Sequence, residues 1–265
     1  MNILIQNPAK IDIFTTLFQN MKHFSENVNL QFTPEHLYVQ TMDNARISIL
    51  EFYLPKSWFC AYECGESVTL GIHSGILYKI LAAREKDQSI RIQYQSDNTD
   101  KLFVHMSSTQ EKGGNNLSFE RHFETPLMDI ETECVTIPDM EYQVEMSLPS
   151  VIFSTIIHQL RGFGDNLEIR CNETVNRWTA TTQECGSMSV DMKIDDLNEF
   201  AIEEGCDLSL EFALQYLANI GSYSKICKNV HLKMHADFPL RLDYPLDSDS
   251  DANIKYYLAP KIREE

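Results

Sequence analysis

The sequence lacks any stretch approaching the roughly 18 uninterrupted apolar residues of a membrane span, so no membrane partner is expected. The start, Met1 to Lys10, has neither a basic leader nor a long apolar run, which predicts a protein that stays on the side where it is made. Basic residues are scarce: 22 Lys and Arg stand against 39 Asp and Glu, a formal charge of −17. Affinity for nucleic acid comes largely from neutralising phosphates, so any DNA contact has to be local or topological. There is no glycine loop to cradle a phosphate and no nucleophile elbow.

The remaining chemistry does not assemble either. Seven cysteines, Cys60, Cys64, Cys134, Cys171, Cys185, Cys206 and Cys227, are odd in number and scattered, as expected of reduced thiols in an intracellular protein. Cys60 and Cys64 have no second close pair to complete a zinc site. His231 and His235 would form a metal pair only on a helix, but Val230, Leu232 and Met234 alternate between them and predict a strand with both histidines outward. Asp247, Asp249 and Asp251 imitate a calcium loop, yet Ala252 replaces its glycine and Leu258 its glutamate. The acids from Asp195 to Asp207 have the spacing of a solvated loop. The expectation is a protein without metal, cofactor or catalytic site, and therefore not an enzyme.

What is present is material for a large core or two ordinary ones: 43% hydrophobic residues, 10% aromatic, in 265 residues. Apolar residues alternate in Val28, Leu30, Phe32, then Ile90, Ile92, Tyr94, then Leu102, Val104, Met106. The second half repeats the habit in Leu167, Ile169, Cys171, in Met188, Val190, Met192, in Val230, Leu232, Met234 and in Leu240, Leu242, Tyr244. Four segments follow helical spacing instead: Ile11, Phe14, Leu17, Phe18, Met21; Leu77, Ile80, Leu81; Phe153, Ile156, Ile157, Leu160; and Leu210, Ala213, Leu214, Leu217. The order strand, proline, helix recurs around Pro8 and Pro149, which indicates an internal duplication. The seam between the copies is Thr125 to Met140, with Pro126, Pro138 and no clear period. The expected organisation is α+β, with similar domains at 1–124 and 141–265 and a connecting loop at 125–140.

The end of the chain, Lys255-Tyr256-Tyr257-Leu258-Ala259-Pro260-Lys261-Ile262 followed by acids, resembles the carboxyl terminus of the proliferating cell nuclear antigen family of DNA sliding clamps. Gln40-Thr41-Met42-Asp43, and Leu127-Met128-Asp129 followed by Ile137-Pro138, match in the same order, so the resemblance covers essentially the whole length. It implies a homotrimeric ring with sheets outside and two helices per domain lining the hole, closed through the edges Leu117 to Phe123 and Ser187 to Met192. The implied partners are duplex DNA, DNA polymerase and other proteins with clamp-binding peptides, and a clamp-loading ATPase. The implied setting is the nucleus or a cytoplasmic DNA replication compartment.

By the same resemblance a partner-peptide groove is lined by Met42, Arg46, Ile47, Ile49, Val135, Ile137, Pro239, Tyr257, Ala259 and Pro260. An isolated Ile on a strand is ordinarily core, but Val135 and Ile137 fall in an otherwise polar connector. The implied DNA-facing residues are Lys10, Lys22, Lys79, Arg84, His158, Arg161, Lys225 and Lys228. Three positions depart from the family pattern: Ile11-Asp12 where many members have lysines, Arg46 where histidine is common, and Glu173 where eukaryotic members carry a modifiable lysine. A subunit of a heterotrimeric clamp and a monomeric clamp-like scaffold remain open as alternatives. A metal-dependent nuclease would need clustered carboxylates, which the sequence does not offer.

Overall fold

The computed structural model describes residues 1–95, 100–108, 119–131, 134–138, 140–184, 186–246 and 251–261. Leu117 and Ser118 of the expected edge, Cys185, Asp247, Asp249 and Ile262 lie outside them.

The chain begins β1 (Asn2–Ile5), α1 (Pro8–Phe24), β2 (Asn27–Phe32), β3 (His36–Met42), β4 (Ser48–Pro55), β5 (Ala61–Glu63), β6 (Val68–His73), α2 (Ser74–Ala82), β7 (Gln88–Gln93), β8 (Lys101–Ser108) and β9 (Arg121–Pro126). It then runs β10 (Val144–Pro149), α3 (Ser150–Arg161), β11 (Asn166–Cys171), β12 (Asn176–Thr182), β13 (Gly186–Asp191), β14 (Glu199–Ile202), β15 (Leu208–Ala213), α4 (Leu214–Ile220), β16 (Asn229–Met234), β17 (Leu240–Pro245) and β18 (Asn253–Leu258). The two successions of strands and α-helices are the same, each with a 3₁₀ turn before its fifth strand, at Lys56–Trp58 and Ile194–Asp196, and the second has a further 3₁₀ segment at Gly221–Lys225 after α4.

Two compact units result. Unit 1 comprises Met1–Thr41, Glu51–Cys134 and Leu246–Ala252; unit 2 comprises Met42–Leu50, Val135–Pro245 and Asn253–Glu265. In unit 1 the strands run β5-β1-β7-β8-β9 and β4-β3-β2-β6; in unit 2 they run β14-β10-β16-β17-β18 and β13-β12-β11-β15. Advancing each strand number by nine turns one set of orders into the other. The duplication extends to register. In unit 1 the residues Tyr62, Ile3, Ile92, Val104 and Phe123 stand opposite one another across five strands. Phe200, Met146, Leu232, Leu242 and Tyr256 form the same row in unit 2. Because strand side chains alternate faces, one such row fixes which face of every strand is apolar.

The helices form for local reasons. Asn7 caps α1, its Oδ1 accepting from the N–H groups of Ala9 at 2.9 Å and Lys10 at 3.3 Å, and Pro8 fits the first turn, where a helical N–H has no partner. Ile11, Phe14, Leu17, Phe18 and Met21 are buried along one stripe of α1, where Phe14 meets Phe18 and Phe18 meets Phe52 edge-on at 5.1 and 5.9 Å. In α3 the stripe is Phe153, Ile157 and Leu160, with Phe153 against Trp178 at 6.0 Å. The fourth expected helix is shorter than its spacing suggested. Leu210 and Ala213 belong to β15, whose alternating Leu208, Leu210 and Phe212 are buried, and the helix starts only at Leu214. A strand that runs straight into a helix mimics a longer helical period.

Candidate DNA-facing helices and partner groove

The expected groove residues all belong to unit 2. Their first wall is the turn between β3 and β4, which Asp43 organises. Its Oδ1 accepts from the N–H groups of Ile47 at 2.8 Å and Ser48 at 2.7 Å, and its Oδ2 accepts from Ala45 at 3.1 Å. The carboxylate thus replaces backbone partners across the whole turn, a role that short acidic side chains perform well. Within it Arg46 takes a left-handed conformation, φ 56°, and is the only non-glycine residue at positive φ among those described.

The second wall is the end of β18. Ala259 donates its N–H to the Ile47 carbonyl at 3.0 Å, which joins the end of the chain after β18 to the turn before β4. Leu240 pairs with Leu258, which brings Pro239 to the same end. Ile47 is 39% exposed and Val135 42% exposed; Met42, Ile49, Ile137, Pro239 and Pro260 are half-buried. Tyr257 is buried rather than open to solvent. Behind it Arg241, opposite Tyr257 in register, pairs with Asp243 at 2.8 Å. Burial pulls the Arg241 guanidinium down, but its bond to Asp243 and the charges of Asp243, Tyr257 and Tyr142 together outweigh this and hold it above its usual range.

The basic residues divide into two groups. Lys10 donates from Nζ to the Trp58 carbonyl at 3.0 Å and lies 5.4 Å from the centre of the Trp58 ring. Arg84 pairs with Asp12 at 2.7 Å and donates to the carbonyls of Glu85 and Lys86 at 3.2 and 2.9 Å, its side chain only 10% exposed. Asp12 therefore ties α1 to the end of α2. Lys79, His158, Arg161, Lys225 and Lys228 are exposed instead. Lys22 is half-buried, its ammonium 4.2 Å from the centre of the Tyr78 ring. With Lys79 it borders a shallow basin that also includes His23, Glu26 and His73. His73 caps α2 through Nδ1, which accepts from Gly75 N–H at 3.2 Å; that leaves Nε2–H to bond Glu26 at 3.1 Å.

The outward face of α3 is nearly neutral. Val151 and Ile152 are 60% and 50% exposed, followed by Thr155, His158 and Gln159. Such a face makes weak phosphate contacts by composition alone.

Other expected sites resolve into structure. Cys60 and Cys64 flank the short strand β5, and no group of three metal-ligating side chains occurs among the described residues. Burial pushes the Cys171 and Cys227 thiols up to about 12, far from thiolate reactivity. His231 lies in β16 as expected, but His235, just beyond it, is not simply solvated: its ring stacks on Phe238 at 4.3 Å. Glu173 accepts from Gly205 N–H at 3.1 Å. Sequence reasoning missed two features. One is the Asp43 turn, legible in the turn composition Asp43-Asn44; the other is Phe119, 63% exposed beside β9.

Comparison with known proteins completes the picture. Residues 7–134 match the model of the proliferating cell nuclear antigen N-terminal domain, and residues 136–261 match that of its C-terminal domain. A relative, the probable DNA polymerase sliding clamp 2 of Paramecium bursaria Chlorella virus 1, is 31% identical over 249 residues, covering 94% of this chain and 87% of its own. Two repeated α+β units with these matches define a DNA sliding clamp. The chain belongs to the proliferating cell nuclear antigen family.

Proposed function

We propose that three copies of this chain close head to tail into a ring around duplex DNA and hold DNA polymerase and other enzymes to it by short peptides. One observation carries the assembly. Within unit 2 the beginning of β4 lies next to β18, yet β13 and β9, their counterparts by the repeat, are end strands of their own runs. The contrast in burial supports the same reading: Tyr256 on β18 is 1% exposed, whereas its counterpart Phe123 on β9 is half-buried and Phe119 beside it is open. Edge strands with apolar flanks are liabilities unless covered, and β9 of one copy against β13 of the next covers both.

Retention is then topological. The chain's −17 charge and the sparse exposed cations, Lys79, Arg161, Lys225 and Lys228, suit sliding rather than gripping. The work is mechanical, without a catalytic step of its own, and loading falls to a separate ATPase. The protein acts where DNA is replicated, in the nucleus or a cytoplasmic replication compartment. The domain limits 1–124 and 141–265, joined by 125–140, serve as the working division. The test is retention on DNA. A loaded clamp should survive moderate salt on a closed circle and leave when the circle is cut; equal retention on both would remove the ring. Light scattering of the pure chain should give three subunits, and a monomer would favour a heterotrimeric clamp.

A further inference from the structure

The turn position held by Arg46 needs a left-handed residue, which glycine and asparagine supply at little cost and arginine does not. An unfavourable residue at a fixed backbone position points to its side chain as the reason for its presence. Asp43 holds the backbone on either side of Arg46 by three hydrogen bonds, which fixes where the Arg46 side chain leaves the turn, next to the 39% exposed Ile47. Three other cations of unit 2 are matched, Lys233 with Glu145 at 2.8 Å, Arg241 with Asp243 at 2.8 Å and Lys261 with Glu211 at 3.9 Å, whereas the exposed Arg161, Lys225 and Lys228 belong to α3 and the segment between α4 and β16, not to the Asp43 turn. Among the described residues Arg46 is exposed and makes no ion pair. On a chain of charge −17 an exposed cation without an ion pair, beside the exposed Ile47, is a place where an acidic group on a partner finds an opposite charge.

Resting on the groove reading above, we infer that Arg46 is a specificity residue: it selects partner peptides that carry an Asp or Glu next to an aliphatic side chain that packs on the exposed Ile47. The guanidinium offers a fork of donors to a carboxylate, which a neutral amide in the same place does not engage as an ion pair. Discrimination between otherwise equal peptides is the expected signature of such a contact. Elsewhere along the peptide the overall negative charge of the clamp disfavours acids, so the preference is confined to one position.

The experiment uses the full chain and two fluorescein-labelled synthetic peptides with one aliphatic and two aromatic anchors, differing only in Asp or Asn beside the aliphatic one. Fluorescence anisotropy at low salt should show the Asp peptide bound about threefold to tenfold more tightly, and the preference should shrink in about 0.5 M salt. Arg46→Asn, whose side chain tolerates the left-handed conformation, should bind both peptides equally, while Arg46→Lys should retain part of the preference. Equal binding of the two peptides by the parent, or a preference that persists in Arg46→Asn, overturns the proposal while leaving the groove in place. Absence of binding by both peptides overturns the groove and this proposal with it.

Discussion

Replacing Phe123 by alanine should weaken the ring at all three interfaces at once. Phe123 ends the apolar row of unit 1 and is half-buried in the single chain, whereas Tyr256 at the equivalent place is 1% exposed under its neighbouring strand. Covering β9 therefore removes roughly half of a phenyl side chain from water, worth about 1 to 2 kcal/mol per interface. Three interfaces sum to about 3 to 6 kcal/mol for the trimer. Because trimer formation depends on the cube of monomer concentration, the midpoint concentration for dissociation shifts by half of that total, about tenfold to a hundredfold. Sedimentation velocity over a dilution series measures that midpoint, and far-ultraviolet circular dichroism checks that the monomer keeps its strands. Val190→Ala on β13, the opposite edge, should move the midpoint the same way by a smaller factor. An unchanged midpoint for both variants, with the fold intact, would refute the pairing of β9 with β13.

Val135→Ala with Ile137→Ala should cost about 1 to 3 kcal/mol in binding of a polymerase-tail peptide by calorimetry and leave the sedimentation coefficient unchanged. Arg84→Ala should cost about 1 to 3 kcal/mol of folding stability and lower the melting temperature, because it removes a pairing that joins α1 to the end of α2, with little effect on DNA retention. Lys79→Ala with Arg161→Ala should do the reverse: an unaltered melt but faster loss of clamps from closed circles as salt rises, and a melt lowered as far as in Arg84→Ala would contradict this division of the cations. The His105 imidazole is held below its ordinary 6.5 by burial, with His122 opposite and Arg91 adding to the effect against Glu120. Its folded pKa is depressed, so the unfolded chain binds the proton first, and stability is lost as pH falls below about 6.5 toward the folded value. Thermal melts from pH 7.5 to 5.5 should show this fall reduced in His105→Gln; identical slopes would exclude the contribution.

The strands were legible because alternation has a period of two and both faces are rarely apolar: Leu102, Val104 and Met106 read as β8 at sight. Leu210 and Ala213 misled because β15 passes into α4 without a break, and these two residues of the strand extend the helical stripe. The candidate cations were legible as charges but not as roles. Nothing in a linear spacing tells that Arg84 lies against Asp12, 72 residues away, or that Lys10 lies over Trp58, because those pairings are made by the fold. The groove residues came from likeness to a family; the sequence alone left Ile47 and Ile49 as ordinary strand residues, and only the Asp43 turn shows how Ile47 is kept outward.

The compact units are not consecutive pieces of chain. Met42–Leu50 counts with the later unit and Leu246–Ala252 with the earlier one, so the polypeptide leaves each unit and returns to it. Cutting at Cys134–Val135 would deprive the second fragment of the strand start beside β18 and of the Ile47 carbonyl that Ala259 bonds. Each half cut in this way lacks a segment that the other carries, despite the repeat that makes them look like two. Made as separate fragments, 1–134 and 135–265 should fold well only when mixed, and the intact chain should melt in one transition rather than two.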